Sequence, residues 1–163
     1  METSGWLGRA DRAIGRLVGA GRWLVLPVAL LLFLQWPLRD FLQRYSREAN
    51  DLGQWLFALY ISLALTYATR ERAHLAVDAL ARGYRSRIRE ALGRWGTLFC
   101  VAPWAVFMIA ASWPTVQRSV LGLERFPESF NPGYFMIKVA TVLLALLALA
   151  QTLIDTARPR HGT

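Results

Sequence analysis

An all-α integral membrane fold with four spans follows from three features of the sequence. Its 163 residues are 55% hydrophobic and only 18% charged, and the mean hydropathy of +0.29 is high for a water-soluble domain. Apolar runs of membrane-crossing length recur four times along the chain. Each run is continuous, whereas a membrane-barrel strand alternates and is about 10 residues long, so the spans are read as helices. Nineteen basic and 11 acidic residues give a formal net charge of +8, a balance shared by nucleic-acid and membrane-surface proteins. The apolar runs assign it to the membrane, so phospholipids are the expected partner and nucleic acid is not.

The elements follow in order within a single membrane domain. Residues 1–22 read as a cytoplasmic amphipathic segment. At about 100° per residue Trp6, Leu7, Ala10, Ile14, Leu17 and Val18 share a face opposite Arg9, Arg12 and Arg16. Span one is 23–38, an uncharged run of about 24 Å at the α-helical rise, completed by snorkelling of Arg22 and Arg39 and by Trp23 and Trp36 near the headgroups. No small-residue cleavage site follows it, which is the pattern of a retained signal anchor. Residues 39–51 read as an external interfacial helix, with Phe41, Leu42, Tyr45, Ala49 and Leu52 against Gln43, Arg44 and Arg47. Span two is 52–69. Residues 70–94 read as a cytoplasmic basic helix lying on the membrane. Val77, Leu80, Tyr84, Ile88, Leu92 and Trp95 line its apolar side, with Arg82, Arg85 and Arg89 turned away. Span three is 95–117. An external loop, 118–132, contains the breakers Gly122, Pro127 and Pro132, and Asn131-Pro132-Gly133 signals the turn into span four, 133–154. A cytoplasmic tail, 155–163, closes the chain.

Basic residues fix the orientation. Thirteen fall before span one, between spans two and three, and after span four, against five (Arg39, Arg44, Arg47, Arg118 and Arg125) on the other side. The positive-inside bias therefore places both termini in the cytoplasm.

The chemistry missing from the sequence narrows the function. Spans one to three hold no charged residue, so no ion or substrate pathway is marked within them. Lys138 stands about 7.5 Å into span four, within reach of the outer headgroups by snorkelling, or of a lipid phosphate or partner helix. His74 and His161 are the two histidines, and neither sits where a haem would be bracketed inside the bilayer. His74, Asp78 and Glu71 form a weak metal pattern that reads more simply as an interfacial His beside an Asp78–Arg82 pair. Cys100, the single cysteine, lies in apolar surroundings that leave its thiol inert. No nucleophile elbow, phosphate loop or room for a catalytic domain is present, so neither enzyme activity nor a cofactor is expected of this chain. Polar and small residues of the spans, among them Ser62, Thr66, Gln151, Ala140 and Ala145, suit helix association in lipid. Trp36, Lys138 and Gln151 are the expected contacts to lipid or to a larger subunit.

The stretch Gln54–Asp78, QWLFALYISLALTYATRERAHLAVD, resembles the DctQ-type small membrane subunit of tripartite ATP-independent periplasmic (TRAP) transporters. The likeness rests on a Trp/Leu-rich second span ending in basic residues, including Arg72, and on His74-Leu-Ala-Val77-Asp78. Gln43-Arg44-Tyr45 is similar to the Arg-Tyr that follows the family's first span. Ser112-Trp113-Pro114, Ser119, Glu124, Ser129, Lys138 and Gln151 resemble the mannitol/chloroaromatic subgroup. The chain departs from the pattern at Ala76, where relatives often carry a basic residue, and at Asp51, where many have an acidic pair.

The resemblance implies a bacterial inner-membrane system for ion-driven uptake of an organic acid. A periplasmic binding protein captures the solute, a large membrane subunit holds the substrate and sodium sites, and the small subunit is a scaffold that helps to dock the binding protein. Phe41, Arg44, Tyr45, Arg47, Glu124 and Arg125 are the residues expected to face that protein. The alternative is a stand-alone four-helix transporter of the small multidrug type, which requires a mid-span carboxylate that this chain lacks.

Overall fold

The structure is a computed structural model that describes residues 3–42, 47–70 and 85–157. Helix α1 spans Thr3–Gly21 and passes through a 3-10 turn, Arg22–Leu24, into α2, Val25–Leu42. Then come α3, Arg47–Arg70, α4, Ser86–Leu121, and α5, Tyr134–Ala157. Four helical stretches are long and apolar enough to cross a membrane: Gly5–Pro37, Arg47–Arg70, Trp95–Leu121 and Tyr134–Ala157. This is the all-helical, four-span class expected from the sequence.

Lipid tails are as apolar as leucine, so helices in a bilayer associate through close packing and interhelical hydrogen bonds rather than through escape from water. Helix α5 supplies both and lies at the centre, against α3 and α4. Its Ala140 and Ala145 are buried and let neighbouring backbones come near. Ser62 Oγ of α3 lies 2.8 Å from the Ala58 carbonyl of its own helix and 2.8 Å from the Ala140 carbonyl of α5, so its one proton is shared between them. Large apolar side chains point the other way: Phe33 of α2 and Phe99 and Phe107 of α4 are all exposed. A bundle solvated by acyl chains places its bulk outside and its small and polar groups inside.

The structure departs from the expected segmentation in four places. Helix α1 does not lie apart as an interfacial segment. Val18 packs on Leu63 and Leu147, flanked by Ile14, Leu24 and Leu143, because its apolar stripe finds a matching surface on α3 and α5. Gly21 makes this possible, since a Cβ there would fall 2.8 Å from Leu63 Cβ. Residues 39–51 do not form a separate helix: 39–42 end α2 and 47–51 begin α3. Residues 86–94 continue into α4 without a break, since nothing between Ser86 and Trp95 stops a helix. The loop starts later than expected. Helix α4 runs through Pro103 and Pro114 to Leu121, as helices in lipid tolerate a missing backbone donor, and ends at Gly122.

Candidate functional site at the loop end of the bundle

The connection between α4 and α5 is short and fully specified by hydrogen bonds. Gly122 N–H donates to the Arg118 carbonyl at 2.9 Å and Leu123 N–H to Val120 at 3.1 Å, closing α4. Leu123 takes a φ of 44°, a left-handed conformation that turns the chain back so that Glu124 N–H reaches the Ser119 carbonyl at 3.0 Å. Arg125 and Pro132 form an isolated antiparallel bridge. Phe126 N–H donates to Asn131 O and Phe130 N–H to Phe126 O, both at 2.9 Å. Phe126 is buried edge-on against Tyr134, with ring centroids 5.5 Å apart. Gly133, at φ 131°, leads into α5, a conformation that favours glycine.

Glu124 is the knot of this end. Its carbonyl accepts from the backbone N–H groups of Gly133 and Tyr134, two donors at the start of α5 that would otherwise lack partners. Its carboxylate accepts from Lys138 Nζ and from Ser119 Oγ. The hydrogen bond from Lys138 is the largest influence on its acidity, followed by that from Ser119. Together they hold the carboxyl below its ordinary value of 4.5 against a smaller opposing effect of desolvation.

Asp51 fastens the connection to α3. It is only 7% exposed and accepts from Ser129 Oγ and, at 3.4 Å, from Asn131 Nδ2. One helical turn earlier, Arg47 Nη1 donates to the Glu128 carbonyl at 3.3 Å. The turn 127–129 is therefore clamped against the start of α3.

Arg70 holds the opposite, terminal end. Its Nη1 donates to Asp11 Oδ1 of α1 at 2.7 Å and to Gln151 Oε1 of α5 at 2.9 Å. Gln151 Nε2 donates in turn to Asp155 at 3.1 Å.

These contacts revise several residue expectations. Gln151 is 3% exposed and bonded within the chain, where it ties α5 to Arg70 of α3. Lys138 does not extend freely to the headgroups but donates to Glu124. Glu124 likewise spends its carboxylate inside the connection. Arg47 meets this connection, while Arg125 stands exposed on it. Phe41, 79% exposed, projects from the last turn of α2, and Trp36 is exposed on the same helix. Arg44, Tyr45, Arg72, His74 and Asp78 lie outside the described residues.

Sequence reasoning missed Asp51, Ser129 and Asn131 as a cluster, and Asp11 with Arg70. A bond spanning 78 residues leaves no local spacing to read. The one usable signal was a carboxylate, Asp51, set directly against an uncharged run, where an unpartnered charge is costly.

Among the described residues no group of three or more His, Cys, Asp or Glu side chains is placed to hold a metal ion. Four apolar helices, polar ties at both ends and exposed apolar flanks define a multi-pass membrane protein. The family described as "Tripartite ATP-independent periplasmic transporters, DctQ component" matches residues 28–160, most of the chain, and the protein belongs to it. It is thus a non-catalytic membrane component of a TRAP transporter. No curated protein and no solved structure matches the chain.

Proposed function

We propose that this subunit is the stationary scaffold of its transporter. It braces the large membrane subunit, which carries the solute and sodium sites, and presents the loop end to a periplasmic binding protein for uptake of an organic acid. The membrane is the bacterial inner membrane, with both termini cytoplasmic and the loop end periplasmic, in keeping with the distribution of basic residues. The observation that carries this reading is the division of labour at the loop end. Asp51 and Glu124 are consumed in fixing the connection, while Arg125 and Phe41 remain exposed around it. A pre-organised surface lowers the ordering cost of docking. The uncharged interiors of 23–38, 52–69 and 95–117 fit a brace rather than a carrier.

The test is the double variant Phe41→Ala, Arg125→Glu in the assembled transporter. Binding-protein docking should weaken about tenfold, as for loss of an exposed aromatic and reversal of a rim charge, while the large subunit still copurifies. Unchanged docking and uptake would remove this face from the interface.

A further inference from the structure

A groove of unassigned purpose opens between the last turns of α4 and the first turns of α5. It comprises two adjoining cavities, of about 450 and 270 Å³, that share Thr115 and Lys138. The larger is lined by Arg118, Ser119, Gly122 and Glu124, and the smaller continues to Ala111, Ser112, Val116 and Thr141. From Gly122 to Ala111 this is a descent of about 16 Å along α4 at the helical rise, from a charged rim toward an apolar floor.

Charge and donors point to an anion at the rim. Arg118 and Lys138 face one carboxylate, Glu124, leaving one positive charge in excess. Arg118 is anchored by Nε donating to the Pro114 carbonyl at 3.1 Å, which leaves the four N–H donors on its terminal nitrogens for another acceptor. Lys138 donates to Glu124 and has two further N–H donors. The Thr115 and Ser112 hydroxyls add donors about one and two turns deeper. A planar guanidinium beside an ammonium matches a phosphate, which accepts from both at once.

The floor says which phosphate. A free ion has no use for Ala111 and Val116, whereas a molecule with a charged head and apolar tails matches the whole descent. Trp113, exposed on another face of α4 at the depth of Ser112, is the side-chain type that populates the headgroup level of membranes. We propose that this groove seats an anionic glycerophospholipid, its phosphate held by Arg118 and Lys138 and its glycerol region against Ser112 and Thr115. The site lies within one chain and does not depend on which protein covers the loop end.

Native mass spectrometry of the full-length protein in detergent, titrated with phosphatidylglycerol, tests the assignment. One lipid should be retained by the unaltered chain. Arg118→Gln should weaken retention about tenfold, the scale of losing a charge-assisted contact, and Arg118→Lys should recover part of it. Arg125→Gln, at the same end but outside the groove, should bind as the parent does. Diacylglycerol and inorganic phosphate should each fail to displace the lipid, one for want of the head and the other for want of the tails. Equal retention by Arg118→Gln and Arg125→Gln, or displacement by diacylglycerol, would reduce the binding to nonspecific solvation and overturn the proposal. Displacement by inorganic phosphate alone would overturn the lipid assignment in favour of a free-anion site.

Discussion

The two ends of the bundle use opposite charges as their centre. At the terminal end a cation, Arg70, gathers acceptors from α1 and α5, residues 59 and 81 positions away. At the loop end an anion, Glu124, gathers donors only 5 and 14 positions away. The arginine centre is therefore tertiary: it exists only while three helices are assembled. The glutamate centre is local and can form as soon as α4 and α5 meet, with the long-range grip left to Asp51. An arginine suits the first task, since one planar group bonds several partners in fixed directions, and a carboxylate suits the second, collecting hydroxyl and ammonium donors from a tight turn.

Three experiments sharpen or break this contrast. The largest effect is expected from Arg70→Met, which removes the bonds to Asp11 and Gln151 together and should cost about 2–4 kcal/mol. Hydrogen exchange across α1 should accelerate while residues 122–133 keep their protection. Equal loosening of both ends would show that they are not separate devices. Asp51→Ala should cost about 1–3 kcal/mol by removing the acceptor of the Ser129 hydroxyl and the Asn131 side-chain amide, and Asp51→Asn less. Here exchange should rise across 126–133, with α1 unaffected. The smallest effect is expected from acid. The folded-state pKa of Glu124 lies below 4.5, so its contribution is complete above that value and is lost as pH falls through the lower folded pKa. Between about pH 7 and pH 5 the protection of 119–134, taken relative to the intrinsic exchange rate at each pH, should be flat, and it should decline only in stronger acid. A decline already near pH 6 would mean that some other group governs the connection.

Span number, helicity and the family were legible from the sequence because they are written in consecutive residues: uncharged runs, their basic flanks and the stretch Gln54–Asp78. The paths of α1 and α4 were not. The amphipathic stripe of residues 6–18 fits either a membrane surface or a neighbouring helix, and only the Gly21–Leu63 approach decides for the helix. Pro114 reads as a boundary in water, yet in lipid a helix absorbs it. Lys138 lies in the first turns of α5, but its partner Glu124 comes near only after Leu123 turns the backbone. Polar partners joined by a turn or by assembled helices have no signature in spacing alone.

Glu124 has a mechanical consequence. Its main chain holds the first amides of α5 while its side chain grips Ser119 on α4 and Lys138 on α5. Axial slip between the two rods breaks these links together, so the pair resists shear as one strut. A load applied to the hairpin is passed along α5 to the other end of the bundle, where Gln151 hands it to Arg70.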